Sequence, residues 1–210
     1  MKKKKEKIYL IPGLMTDHRL WHRLEPYLDE YELIHTPIPH SDNFDDIVQF
    51  LDDNIKCEKI NLLGFSLGGY IASYFAIKYP SKVKRLFLVG STPSATELDI
   101  VPRRKEKLEE AKNSPFIPLS IEKAKDLLEK QDDDELAHTM VEMFNDLGHK
   151  SFVSQLSSTL NRVDLFDHLS ALDVPIKFFY STQDRLMNHK SIEDIMNQKH
   201  NFELIVREGT

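Results

Sequence analysis

The run Lys59-Ile60-Asn61-Leu62-Leu63-Gly64-Phe65-Ser66-Leu67-Gly68-Gly69-Tyr70 decides how the rest of the chain is read. Lys59–Leu63 predicts a strand, Leu67–Lys78 a helix stopped at Pro80, and Gly64–Gly69 the tight turn between them. A strand turning this sharply into a helix forces its apex residue, Ser66, into a strained backbone conformation and lifts the hydroxyl beyond the sheet edge. The flanking glycines are required because strand and helix pass too close for a Cβ. The helix N-terminus supplies a free N–H and the positive end of a dipole where an oxyanion would form. A phosphate or dinucleotide turn is the competing reading, but it needs a lysine after the last glycine or a G-x-G-x-x-G spacing. Tyr70 follows Gly69 and Leu62 stands two before Gly64, so neither pattern is met. Ser66 is therefore a candidate nucleophile.

On either side of this turn, short apolar runs alternate with longer amphipathic stretches, the pattern of a parallel sheet covered by helices. Strands are predicted at Ile8–Ile11, Glu32–His35, Lys59–Leu63, Val83–Val89, Pro175–Tyr180 and Phe202–Val206. Helices are predicted at Arg19–Leu28, Asp45–Ile55, Leu67–Lys78 and around Ile192–Met196. Between Thr92 and Asp173 the rhythm changes to charged helical stretches, Arg103–Lys112, Ile121–Lys130, Asp134–Phe144 and Ser151–Leu160, broken by Pro115, Pro118 and Gly148. Strands resume afterwards with the same rhythm, so this segment reads as a helical insertion into one domain.

The chain has 210 residues, 40% hydrophobic and 30% charged, an ordinary globular composition. Its 28 basic and 34 acidic residues give a net charge of −6, which argues against a nucleic-acid partner, since a phosphate backbone needs a basic surface. The lysines Lys2 to Lys5 and Lys7 read as a solvated terminus, and the apolar run after them is too short for a secretory leader. No apolar run reaches the roughly 20 residues of a membrane span. The single cysteine, Cys57, allows no internal disulfide and points to a reducing compartment, the cytoplasm. The acidic run Gln131-Asp132-Asp133-Asp134-Glu135 and the group Asp42, Asp45 and Asp46 read as helix starts rather than metal loops.

Three stretches carry a family likeness: Ile11-Pro12-Gly13-Leu14-Met15-Thr16-Asp17-His18-Arg19-Leu20-Trp21, the turn around Ser66, and Val174-Pro175 through Asp184-Arg185-Leu186. Together they resemble the α/β-hydrolases with a helical cap, from Lys7 to Thr210. Within that superfamily the chain is similar to small carboxylic-ester hydrolases and lactonases such as the 3-oxoadipate enol-lactonases, and to the pimeloyl-carrier-protein methyl ester esterases. The resemblance implies an α/β fold with a mostly parallel sheet of about six strands, helices on both faces and a helical cap. Residues 1–92 and 173–210 would form the core and residues 93–172 the cap.

The same resemblance assigns chemistry. Ser66 would attack the carbonyl of a small carboxylic ester, lactone or thioester, the backbone N–H groups of Leu14 and Leu67 would hold the oxyanion, and Asp184 would orient a histidine. No cofactor and no metal is implied, and the partner is a small-molecule ester. The apolar residues Phe116, Ile117, Leu119, Met140, Met143 and Phe144 point to an apolar acyl or alkyl group. Asn161-Arg162-Val163-Asp164 reads as a structural ion pair. His18 and His22 read as solvated and Trp21 as a packing residue. In relatives the base follows the last strand, but here Arg207-Glu208-Gly209-Thr210 closes the sequence, so the chain is expected to be shortened at its C-terminus. His138, His149, His168, His189 and His200 are poor substitutes by position. Acyl transfer on the same scaffold, or a non-catalytic binder that keeps the pocket, are the alternatives.

Overall fold

The computed structural model describes residues 5–197 and 202–209. Six strands, β1 (Glu6–Ile11), β2 (Tyr31–His35), β3 (Ile60–Phe65), β4 (Val83–Val89), β5 (Ile176–Ser181) and β6 (Phe202–Arg207), form one sheet in the order β2-β1-β3-β4-β5-β6. Every neighbouring pair is parallel. The chain runs outward from β1 to β2, returns across β1 to β3, and then continues to the other edge. Its direction therefore reverses between β1 and β3, and a crevice opens beyond the carboxyl ends of those two strands. The elbow around Ser66 leaves the sheet at that point.

One face of the sheet carries the main core. Helix α1 (Phe44–Asn54) buries Phe44, Ile47, Val48 and Leu51, spaced as one helical stripe, and starts where Asn43 accepts the Asp45 amide at 2.8 Å. Asn43, rather than one of the neighbouring aspartates, is thus the cap. Helix α2 (Leu67–Lys78) is buried on nearly all sides and packs over β3, β4 and β1. The opposite face is covered near β1 and β3 by Leu20, Trp21 and Leu24 against Leu10 and Leu63. These residues lie in a predicted helix, Arg19–Leu28, which instead forms two 3-10 turns, His18–Trp21 and Glu25–Tyr27. Pro26 explains the difference: inside an α-helix its ring would meet the carbonyl of His22, whereas it fits the start of a new turn. His18 and His22 are exposed and Trp21 is buried.

Between β4 and β5 lie four helices, α3 (Val101–Asn113), α4 (Ile121–Leu127), α5 (Asp134–Leu160) and α6 (Phe166–Ser170). In α5 the backbone breaks at Gly148, φ 67°, the predicted interruption, leaving two helical arms. Asp133 caps its start by accepting the Leu136 amide at 3.0 Å. Helix α7 (His189–Asn197) joins the main core through Ile192 and Ile195. Among the described residues no helix is long and apolar enough to cross a membrane, and no group of three His, Cys, Asp or Glu could hold a metal ion. Lys2, Lys3, Lys4, His200 and Thr210, weighed above, lie outside the described residues.

Candidate active site

The turn from β3 into α2 is built by contact. A Cβ on Gly64 would come 2.4 Å from the Gly68 carbonyl oxygen, and one on Gly68 only 2.2 Å from the Pro12 carbonyl oxygen. These obstacles are all backbone, so no side chain can yield to make room. Between the two glycines Ser66 is held at φ 51°, ψ −115°, a region that L-residues rarely occupy. Its amide donates to the Val89 carbonyl at 2.9 Å, tying the apex to β4. Ser66 precedes the first turn of α2, yet its side chain makes no capping hydrogen bond. The strained backbone has turned the hydroxyl away from the helix it would ordinarily cap.

That hydroxyl faces a cavity of about 120 Å³ whose wall includes Leu14, Leu67, Gly90, Ile100, Arg104 and Arg162. Leu14 arrives from the loop after β1, where a Cβ on Gly13 would stand 3.3 Å from Ser66 Cβ. The next residue, Met15, is also in the left-handed region at φ 54°. Its buried amide donates to Gln155 Oε1 on α5 at 2.7 Å. Among the described residues neither the Leu14 nor the Leu67 amide donates to another group. The loop after β1 and the N-terminus of α2 thus bring two free amides to the cavity that holds the Ser66 hydroxyl. Such a pair can stabilise negative charge developing on a carbonyl oxygen.

Asp184 follows the end of β5. Its Oδ2 comes 3.8 Å from where a Cβ on Gly90, a residue of the cavity wall, would stand. Oδ1 accepts the Leu186 amide at 2.9 Å. His189 Nε2 meets the main-chain carbonyl of Asp184, at 2.7 Å, and not its carboxylate. Helix α7 starts with the Asn188 side chain accepting the Ser191 amide, so Asp184 is not its cap. Among the described residues no histidine lines the Ser66 cavity. His138 is bonded to the Asp134 carbonyl and His149 to that of Ala111, both within the helical segment.

The cavity differs from the sequence-based expectation in its polarity. None of Phe116, Ile117, Leu119, Met140, Met143 and Phe144 lines it. Phe116, Phe144 and Phe152 instead form a half-buried aromatic cluster within the helical segment, Phe116 stacked on Phe144 and Phe152 set against both. The expected ion pair in Asn161–Asp164 is also absent. Asp164 Oδ1 accepts the Phe166 amide at 2.8 Å, while Arg162 turns back over the Tyr70 ring at 4.2 Å and donates to the Thr92 carbonyl at 2.6 Å. Burial pushes the Arg162 guanidinium down to about 10. Burial also pushes Tyr70 up to about 12, its hydroxyl bridging both main-chain groups of Val163. Sequence reasoning singled out Arg162 for a different role and passed over Arg104 and Gln155, for which a single polar residue on a helix gives no signal.

A family model for the alpha/beta hydrolase fold matches residues 7–131 of the chain. The 2-succinyl-6-hydroxy-2,4-cyclohexadiene-1-carboxylate synthase of Enterobacter sp. (strain 638) is 30% identical over 113 residues, covering 49% of this chain and 43% of that protein. A monoacylglycerol lipase of Mus musculus is 25% identical over 174 residues, covering 74% of this chain and 51% of that protein. The chain thus spans about half or less of the length of these curated relatives. Among solved structures, MenH from S. aureus superimposes with a TM-score of 0.79 at 19% identity, over 100% of this chain and 87% of that one. An esterase from Exiguobacterium antarcticum does so with a TM-score of 0.81 at 17% identity, over 96% and 82%.

Proposed function

The chain belongs to the α/β hydrolase fold family, and from that premise we propose that it serves the hydrolysis of a small carboxylic ester, lactone or thioester through an acyl-serine intermediate. The observation that carries this reading is Ser66, uncapped at φ 51°, opening on a cavity beside the free amides of Leu14 and Leu67.

In this reading Ser66 Oγ bonds to the substrate's carbonyl carbon and the carbonyl oxygen takes up the negative charge between the two amides. The tetrahedral intermediate then expels the alcohol or thiol, which leaves with a proton. Water attacks the acyl-enzyme in the same geometry and returns Ser66 to its starting state. Asp184 is the acid that would hold a histidine base in the right tautomer. No histidine among the described residues occupies that place, so the activity is proposed for the whole protein. Residues 93–172 act as the cap that selects the substrate, since α3 and α5 supply Arg104 and Thr159 to the cavity wall.

The test is a panel of p-nitrophenyl esters with the full-length protein and its Ser66→Ala variant, alongside fluorophosphonate labelling located by mass spectrometry. Ser66→Ala is expected to lose about a thousandfold or more in turnover together with the label. Turnover indifferent to that substitution overturns the reading. A binder that keeps the pocket without the reaction is the second reading. Ligand binding with no turnover by the full-length protein would select it.

A further inference from the structure

A second cavity, of about 600 Å³ against about 120 Å³ before Ser66, lies where the helical segment meets the loop after β2. His40 and Asp42 line it from that loop, Lys112 from the end of α3, and His149 and Lys150 from the second arm of α5. It shares no lining residue with the Ser66 cavity. The chain as a whole carries a net charge of −6, yet the charged groups of this lining are two lysines against one aspartate. That aspartate is already engaged, its Oδ2 accepting the Ser157 hydroxyl at 2.7 Å. Lys150 has no ion-pair partner among the described residues, and Lys112 has the exposed Glu109 one turn back, at 2.9 Å.

Both histidines have one ring nitrogen committed. A carbonyl oxygen can only accept, so His149 Nε2, 2.6 Å from the Ala111 carbonyl, carries its hydrogen. The Ser151 hydroxyl gives its hydrogen to the Leu147 carbonyl at 2.8 Å, and towards His40 Nε2, 3.5 Å away, it is left to accept. Neither Nδ1 has a hydrogen-bond partner among the described residues. A proton taken up there makes each ring a cation with a second donor, the form that a bound anion favours. The charged groups around the two rings are Lys112 and Glu109 on α3, Lys150 on α5, Asp42 on the loop, and Asp46 on α1, which meets Ser41 of the same lining.

We propose that this cleft binds the phosphate group of a small phosphomonoester, held between the loop after β2 and α5. No arginine lines it, so the planar fork that selects a carboxylate is missing, whereas ammonium and imidazolium groups act as point donors to the several oxygens of a tetrahedral dianion. The volume falls within the range of small-molecule sites and leaves room beyond the phosphate for an organic part, to which Val153 offers an apolar contact. Ser157 on the Asp42 carboxylate and Asn161 on the Asp42 carbonyl, at 3.0 Å, already tie the two walls together, so the cleft is formed before its ligand arrives. The site stands whether or not Ser66 is a nucleophile.

Phenyl phosphate, inorganic phosphate and benzoate, titrated calorimetrically into the full-length protein at one pH and ionic strength, test the proposal. Phenyl phosphate is expected to bind about fivefold or more tighter than either of the others. Lys150→Met and Lys112→Met should each weaken it by up to about fivefold, since both lysines are exposed, and the double variant by about tenfold or more. His149→Phe, which keeps a ring and removes the donors, should weaken it as well, while Lys190→Met, on α7 and outside the cleft, should leave it unchanged. Should His149→Phe fail to fold without its bond to Ala111, the two exposed lysines still decide the matter. Equal affinity for benzoate or for inorganic phosphate overturns the proposal, and so does an equal loss in Lys190→Met. Binding that survives the double lysine variant but is lost in Arg162→Met, in the other cavity, overturns it too.

Discussion

The Met15 amide donates to the side-chain carbonyl of Gln155 at 2.7 Å, across 140 positions of sequence, in a buried environment. This bond fixes the residue next to Leu14, whose own amide is one of the two free donors beside Ser66. Three further contacts join the same loop to α5: the Asp17 amide on Met143 Sδ at 3.4 Å, and Arg19 on Asp146 at 2.9 Å and on Glu142 at 3.8 Å. The helical segment therefore grips the loop that presents one of the proposed oxyanion donors.

Gln155→Leu keeps the volume and removes the acceptor. The buried Met15 N–H is left unpaired, at a cost of about 1–3 kcal/mol. Leu14 loses its fixed position as well, so kcat should fall more than KM rises. Thermal melts and ester kinetics on the same preparation check both effects, and a change confined to stability would show that the loop keeps its geometry without this bond.

Gly68→Ala should be among the most damaging single changes in the chain. The added methyl meets two carbonyl oxygens of the β1 strand end, Pro12 at 2.2 Å and Ile11 at 2.3 Å, and neither can rotate aside. A loss of about 3 kcal/mol or more is expected in denaturant unfolding. Wild-type stability in this variant would mean that α2 sits further from β1 than described.

Ser66→Gly should stabilise the fold relative to Ser66→Ala by about 1 kcal/mol, because only glycine occupies φ 51°, ψ −115° without strain. Both variants should lose fluorophosphonate labelling. Equal midpoints in urea would show that the turn stores no strain at this residue.

Asp133 links the start of α5 to Arg23, whose nitrogens lie 2.5 and 2.9 Å from its carboxylate. Hydrogen bonding to Arg23 holds the Asp133 carboxyl at about 2, below the ordinary 3.8. The folded-state value is lowered, so the stability this pair contributes is present above about pH 4 and is lost as pH falls towards 2. Asp133→Asn still caps the Leu136 amide but carries no charge. It should be the less stable protein at pH 7 and should show a shallower loss between pH 4 and 2. Parallel acid-unfolding curves for the two proteins would remove the ion pair from the account.

All six strands and the two longest core helices were readable as apolar runs and helical stripes, because β3 and the carboxyl half of β1 are apolar and buried, although Lys84 and Arg85 of β4 lie exposed. Arg19–Leu28 misled because Leu20, Leu24 and Leu28 repeat like a helix while Pro26 forbids one. Helix α6 was invisible, since five residues hold too little of a period to register. Arg162 was placed beside Asp164 by adjacency, whereas its side chain follows the Tyr70 face and the Thr92 carbonyl, neither of them a sequence neighbour.

What the amino-acid order settles on its own is the local geometry at the sheet edge. Glycine at 64 and 68 around a serine admits one sharp turn, and steric exclusion acts between atoms a few residues apart. The identity of the groups facing that serine belongs to the folded molecule. Gln155 under Met15, and Arg104 and Arg162 across from Ser66, meet only because the segment between β4 and β5 leaves the sheet and returns over its carboxyl edge. Contacts of that span depend on the packing of whole helices, and no periodicity within a single helix encodes them.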